Sequence, residues 1–124
     1  MMQVARKASP FLKWAGGKGQ LSTQIDGQLP DALKNGQITR YVEPFIGGGA
    51  MLFHIAQHYP VESYYISDTN AELILLYQCI KEDVGQLIDN LALLQKRYYK
   101  LPVAQRDAFF YETREKLNKQ LPSN

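Results

Sequence analysis

A chain of 124 residues, 45% apolar and 21% charged, can build one small domain with a core and has the make-up of an ordinary soluble globular protein. Its formal charge of +2 is too small to argue for nucleic acid by itself. No apolar run approaches the roughly 20 residues needed to span a bilayer, and the start, MMQVARKASPF, lacks the apolar core of a signal peptide. The single cysteine, Cys79, cannot close an internal disulfide; it falls in an apolar helical run, is expected to be a small core residue, and suits a reducing cytoplasm.

Residues 1 to 10 read as a flexible, basic lead-in. The run PFLKWAGGKGQL follows, and Pro10 with the pair Gly16 and Gly17 places Lys13 to Gly19 in a loop. Leu21, Ile25 and Leu29 recur at intervals of four, which predicts a helix stopped by Pro30. Asp31 to Gln37 is a short turn or helical piece. Arg40 to Phe45 is nearly continuous in apolar, β-prone residues, as a buried parallel strand requires. Gly47, Gly48 and Gly49 interrupt it, and a helix carrying Met51, Leu52 and Ile55 runs on to about His58, before Pro60. A second strand is predicted in VESYYIS. The next helix is expected to open on a capping box made by Thr69 and Glu72, with Leu73, Ile74, Leu76, Tyr77 and Ile80 on a broad apolar face.

Beyond residue 80 the pattern changes class. Val84, Leu87, Ile88, Leu91 and Leu94 keep a helical period, and Pro102 separates them from a last helix over Val103 to Lys119. An alternating β/α part, residues 1–80, is therefore followed by a helical segment, residues 81–124. Two strands are too few for a stable buried parallel sheet, so further strands, from more chain or from a partner, are expected. Residues 95 to 119 hold Lys96, Arg97, Lys100, Arg106, Arg114, Lys116 and Lys119 against Asp107, Glu112 and Glu115. This bias reads first as a solvated helical face, ahead of a nucleic-acid surface.

Strand, glycine turn and helix together form the arrangement by which an α/β sheet brings backbone close to a nucleotide-like ligand. The pair Gly47 and Gly49 meets the first two positions of the dinucleotide fingerprint, but Leu52 stands at the third. Asp68 lies 21 residues after Gly47 and directly after the second strand, where an acid can accept hydrogen bonds from ribose hydroxyls; its alternative role is to help cap the following helix. The run KWAGGKG is not a Walker phosphate loop, because Leu12 replaces the first glycine and Gly19 the Ser or Thr after the lysine. Trp14 could cover an adenine or a methionine-like tail while Lys18 pairs with a carboxylate, or Trp14 could be a core anchor. His54 and His58 share a helix face, but Ile55 stands where a zincin has glutamate, and no metal site is expected. No Ser/His/Asp, Cys/His or paired-carboxylate arrangement suggests a catalytic group. These features indicate an adenosine-bearing ligand without specifying which.

Taken together, three runs, KWAGGK (Lys13 to Lys18), VEPFIGGG (Val42 to Gly49) and ISDTN (Ile66 to Asn70), come in the order and at the spacing of the Dam-type adenine-N6 DNA methyltransferases, which this chain resembles from Pro10 onward. A weaker match is FYETREKLNK, Phe110 to Lys119, which is similar to part of that family's helical insertion. The resemblance implies the N-terminal portion of a Rossmann-like, S-adenosylmethionine-dependent methyltransferase sheet, followed by the start of a helical target-recognition insertion. It implies that Trp14, Gly17 and Lys18 belong to the N-terminal cofactor motif, that Glu43, Phe45, Gly47 and Gly49 belong to the glycine motif, and that Asp68 is the ribose-binding acid. It also implies double-stranded DNA as the partner of the full-length enzyme, with adenine flipped out of the helix for reaction. The family's later Asp-Pro-Pro-Tyr motif does not occur in this chain. The expectation is therefore a cofactor-holding part, inactive alone, whose activity would need a complementing C-terminal chain; a non-catalytic cofactor- or DNA-binding module is the alternative.

Overall fold

The computed structural model describes residues 7–13 and 21–121. The element order is α1 (Ser22–Asp26), α2 (Asp31–Lys34), β1 (Arg40–Glu43), α3 (Ala50–His58), β2 (Ser63–Ile66), α4 (Ala71–Lys100) and α5 (Val103–Gln120). The chain divides into two compact units, Met1–Leu76 and Tyr77–Asn124. Among the described residues, no helix is long and apolar enough to cross a membrane.

The first unit is a mixed helix and strand body around a two-stranded parallel sheet. Arg40 pairs with Ser63, Tyr41 with Tyr64, Val42 with Tyr65 and Glu43 with Ile66. Side chains alternate across a sheet. Tyr41 and Tyr64 therefore share the face that packs on the core of Leu33, Met51 and Ile55. Val42 and Tyr65 share the other face, and both are exposed. β1 is shorter than predicted, ending at Glu43, and Pro44 opens the turn that follows. The two chains stay together past it through turn hydrogen bonds: Ser67 N–H to the Glu43 carbonyl and Ile46 N–H to the Ser67 carbonyl, each 3.0 Å.

α3 explains the position of the core. Met51 and Ile55, four residues apart, point inward, and Ile55 is fully buried. α1 is also shorter than its apolar spacing suggests; Ser22–Asp26 is helical, and a turn carries the chain on to Pro30. Ile25 and Leu29 still pack on the core.

In the second unit, the 30-residue α4 has a non-helical residue, Asp83, at φ −151° and ψ 59°. The Asp83 carboxylate accepts the amide of Gln86 at 3.3 Å, so it acts as the cap of a second helical stretch. The turn into α5 is held by Arg106. Its Nε donates to the Leu101 carbonyl at 3.2 Å, and its guanidinium lies 5.5 and 5.3 Å from the ring centres of Tyr98 and Tyr99. Arg97 lies over Phe109 at 5.6 Å. The predicted apolar stripe is only partly packed, since Val84, Ile88, Leu91 and Leu94 are exposed. Cys79 is exposed too, contrary to the expected core position: α4 turns Leu73 and Tyr77, not Cys79, to its buried side.

Candidate functional site

The carboxyl ends of β1 and β2 lie side by side, and the segments leaving them meet at one hydrogen bond. The amide of Gly47 donates to Asp68 Oδ2 at 3.1 Å. The other oxygen, Oδ1, accepts the amide of Asn70 at 3.0 Å. The amides of Asn70 and then Gly47 hold the Asp68 carboxyl below its ordinary range, so it is an anion near neutrality. A carboxylate has about four lone-pair directions, and the backbone amides acting on this one include that of Thr69 as well. The carboxylate is thus fixed in orientation, yet keeps acceptor capacity toward a hydroxyl.

Asp68 therefore does local work as well. The helix cap itself falls on Asn70 instead of the predicted Thr69: Asn70 Oδ1 accepts the amide of Leu73 at 3.0 Å, and α4 begins at Ala71.

The glycine turn is shaped by two left-handed residues. Gly47 has φ 52° and Gly49 has φ 84°, a region that residues with a Cβ avoid. Gly49 is also the N-cap of α3 and supplies no side chain to its amides. Gly48 and Gly49 are buried, whereas Phe45, earlier in the same turn, is 66% exposed.

Glu43 closes β1 and is only 6% exposed. Its Oε2 accepts the Tyr41 hydroxyl at 2.8 Å, two residues back on the same strand face. Burial, and then this bond, push the Tyr41 hydroxyl well above the ordinary tyrosine range. The sequence reads this strand as a nearly continuous apolar run, so neither the shared face of Tyr41 and Glu43 nor the role of Tyr41 was visible in it; both depend on the two groups being drawn inward.

Of the predicted site residues, Glu43, Phe45, Gly47, Gly49 and Asp68 thus gather at the ends of the two strands. Trp14, Gly17 and Lys18 lie outside the described residues. The stretches flanking them, however, are both attached to α3. Gln57 accepts the Ala8 amide at 3.0 Å and donates to the Ala8 carbonyl at 2.8 Å. His54 Nε2 donates to Asp26 Oδ1 at 2.8 Å, and the Tyr59 hydroxyl donates to the same oxygen. The rings of His54 and His58 stack at 4.4 Å. Asp26 is the residue that sequence reasoning missed here; a lone acid at the end of a short helix carries no pattern.

Comparison with known proteins gives the family. The family model for D12 class N6 adenine-specific DNA methyltransferases matches residues 14–123. The chain belongs to that family. It is 45% identical over 113 residues to the type II methyltransferase M.MjaIII of Methanocaldococcus jannaschii, covering 91% of this chain and 39% of that protein. It is 40% identical over 94 residues to the type II methyltransferase M1.LlaDCHI of Lactococcus lactis, covering 73% of this chain and 30% of the relative. A DNA adenine methylase of Haemophilus influenzae is 33% identical over 112 residues, covering 90% and 35%. This D12-class chain therefore spans less than two fifths of the length of these relatives. No solved structure matches it.

Proposed function

We propose that this chain is the S-adenosylmethionine-binding part of a DNA adenine-N6 methyltransferase, built on a Rossmann-like sheet of which β1 and β2 are a portion. The division of labour would place the cofactor part at residues 1–80 and the start of the target-recognition insertion at residues 81–124. The observation that carries this reading is the Asp68 carboxylate, oriented by the Gly47 amide at the ends of adjacent parallel strands. Its remaining acceptor capacity suits a ribose hydroxyl.

The donor set fits the cofactor. Asp68 would accept the ribose hydroxyls, and the left-handed turn at Gly47 and Gly49 would let backbone approach the ligand without Cβ atoms in the way. Phe45 offers an exposed ring beside that turn. Glu43, at the end of β1, is held in place by the Tyr41 hydroxyl. Trp14, Gly17 and Lys18 would supply the other side, with Lys18 pairing the cofactor's carboxylate and Trp14 covering an apolar part. When bound, S-adenosylmethionine supplies an activated methyl group. The residues named here bind and orient it; the groups that would hold a flipped adenine belong to the Asp-Pro-Pro-Tyr motif, which the 124 residues do not contain. The reading thus gives residues 1–124 the binding of the cofactor, and methyl transfer only together with residues that carry that motif. The single cysteine suits a cytoplasmic setting.

Calorimetric titration of the chain with S-adenosylmethionine tests the proposal, with ATP and NAD as competitors. Saturable binding that neither nucleotide displaces is the expected result; absence of binding, or equal displacement by ATP, overturns it. Labelled methyl transfer to duplex DNA by the chain alone would overturn the division of labour.

The basic residues between Lys96 and Lys119 favour a second element, contact with double-stranded DNA. Arg97, Arg106 and Arg114 lie over aromatic rings, which leaves mainly the lysines for phosphates. DNA affinity that falls steeply as salt is raised is the expected signature, and no binding at low salt would remove it.

A further inference from the structure

The ladder between β1 and β2 ends at Glu43 and Ile66, yet the two chains continue side by side beyond it. Ser67 makes the bonds that keep them together. Its N–H donates to the Glu43 carbonyl, and its carbonyl accepts the Ile46 N–H, each at 3.0 Å. Its hydroxyl donates to the Pro44 carbonyl, also at 3.0 Å. The next residue, Asp68, accepts the Gly47 amide at 3.1 Å. Glu43, Pro44, Ile46 and Gly47 are thus met in order by two consecutive residues. Pro44 has no N–H, so its carbonyl is the only backbone group by which the chain can be held at that point. The segment that follows ends in the left-handed Gly47, whose amide meets Asp68. Ser67 is exposed, so its side chain serves this bond and not the core.

We propose that Ser67 is a positioning residue for the ribose-binding carboxylate: its hydroxyl fixes the Pro44 carbonyl, and so holds the turn in the place from which the Gly47 amide orients Asp68. This rests on Asp68 being the acceptor of a ribose hydroxyl. Ser67 acts through backbone, and no contact with the ligand is required of it. A carboxylate already held in one orientation need not be ordered by the ligand, and a loop tied to a strand end costs less to order than a free one.

Ser67→Ala removes the hydroxyl and leaves both backbone bonds of that residue in place. Calorimetric titration with S-adenosylmethionine, and with its 2′,3′-dideoxy analogue that lacks both ribose hydroxyls, reads the ligand side. In Ser67→Ala the affinity for S-adenosylmethionine is expected to fall about fivefold, the scale of one neutral hydrogen bond, while affinity for the analogue stays within about twofold. Hydrogen–deuterium exchange of the ligand-free chain reads the turn. The Gly47 amide is expected to exchange about fivefold faster, with the amide of Ile55 in α3 unchanged. Ser67→Thr retains the hydroxyl and is expected to match the parent in both measurements. Equal loss for the two ligands, or no loss, overturns the proposal. So does a loss confined to S-adenosylmethionine with Gly47 exchange unaltered, which would put the Ser67 hydroxyl on the ribose itself. Failure of the unaltered chain to favour S-adenosylmethionine over the analogue would instead overturn the role of Asp68 on which the proposal rests.

Discussion

Gly47 and Asp68 are joined by a 3.1 Å hydrogen bond from backbone amide to carboxylate, across 21 residues of sequence. This contact ties the turn after β1 to the loop after β2, and it fixes the orientation of the Asp68 carboxylate at the strand ends.

Replacing Asp68 separates its two duties. Asp68→Ala should weaken S-adenosylmethionine binding by about tenfold or more, the usual effect of losing hydrogen bonds to a charged group. Asp68→Asn keeps one oxygen for an amide partner and should preserve the fold while still losing affinity. Titration calorimetry beside thermal unfolding reads both effects. An unchanged dissociation constant would confine Asp68 to local loop structure.

Gly49→Ala places a Cβ on a residue at φ 84°. The left-handed conformation costs a residue with a side chain about 1–2 kcal/mol. The denaturant midpoint should fall accordingly, and cofactor affinity should fall with it as the turn relaxes. A variant as stable as the parent would show that the turn can shift without cost.

Ile55 is fully buried between Leu33 and Met51. Ile55→Ala should cost about 2–5 kcal/mol, and Ile55→Val about 0.5–1.5 kcal/mol. Small domains are held by about 5–15 kcal/mol in total, so the alanine variant should be substantially unfolded at modest denaturant. Urea titrations of the pair measure the difference; equal midpoints would mean that α3 does not carry the core.

The Asp26 cluster bounds a pH window. The Tyr59 hydroxyl, and then His54, hold the Asp26 carboxyl below its ordinary value of 3.8. A carboxyl lowered in the folded state contributes stability that is complete above that value and is lost as pH falls further. The Tyr59 hydroxyl is held above its ordinary 10.0, first by its bond to Asp26. A tyrosine raised in the folded state contributes stability that is complete below that value and is lost as pH rises. Asp26→Asn should flatten the acid flank of the stability profile. Tyr59→Phe should reduce the alkaline one, leaving the share of Tyr41 and Tyr64, which are raised mainly by burial. Thermal unfolding across pH checks both slopes; unchanged flanks would mean that the cluster is dispensable.

Most of the architecture was legible in the sequence because it is written locally. Glycine and proline mark the turn at Gly47 and the ends at Pro60 and Pro102, a nearly continuous β-prone run marks β1, and a spacing near four marks α3. The glycine motif and Asp68 could be paired from spacing alone. What was not legible depends on contacts between distant residues. The cap fell to Asn70 because Asp68, bonding its amide, sets the loop one residue further on. Cys79 proved exposed because an apolar run does not say which side of a helix faces the core. Asp26, His54 and Tyr59 carry no motif, since their meeting depends on how α1 comes to lie against α3.

The break at Asp83 also divides α4 in time. An unbroken helix protects its amides as one cooperative stretch, but a residue at φ −151° interrupts the repeat of hydrogen bonds. The amide of Gln86 is held there by the Asp83 carboxylate. Under hydrogen–deuterium exchange, Val84 and Gly85 should therefore exchange early, as a seam. The residues on its two sides should then open at separate rates, so that fraying of the helical hairpin stops at Asp83 before it reaches Leu73 and the cap that Asn70 makes beside Asp68.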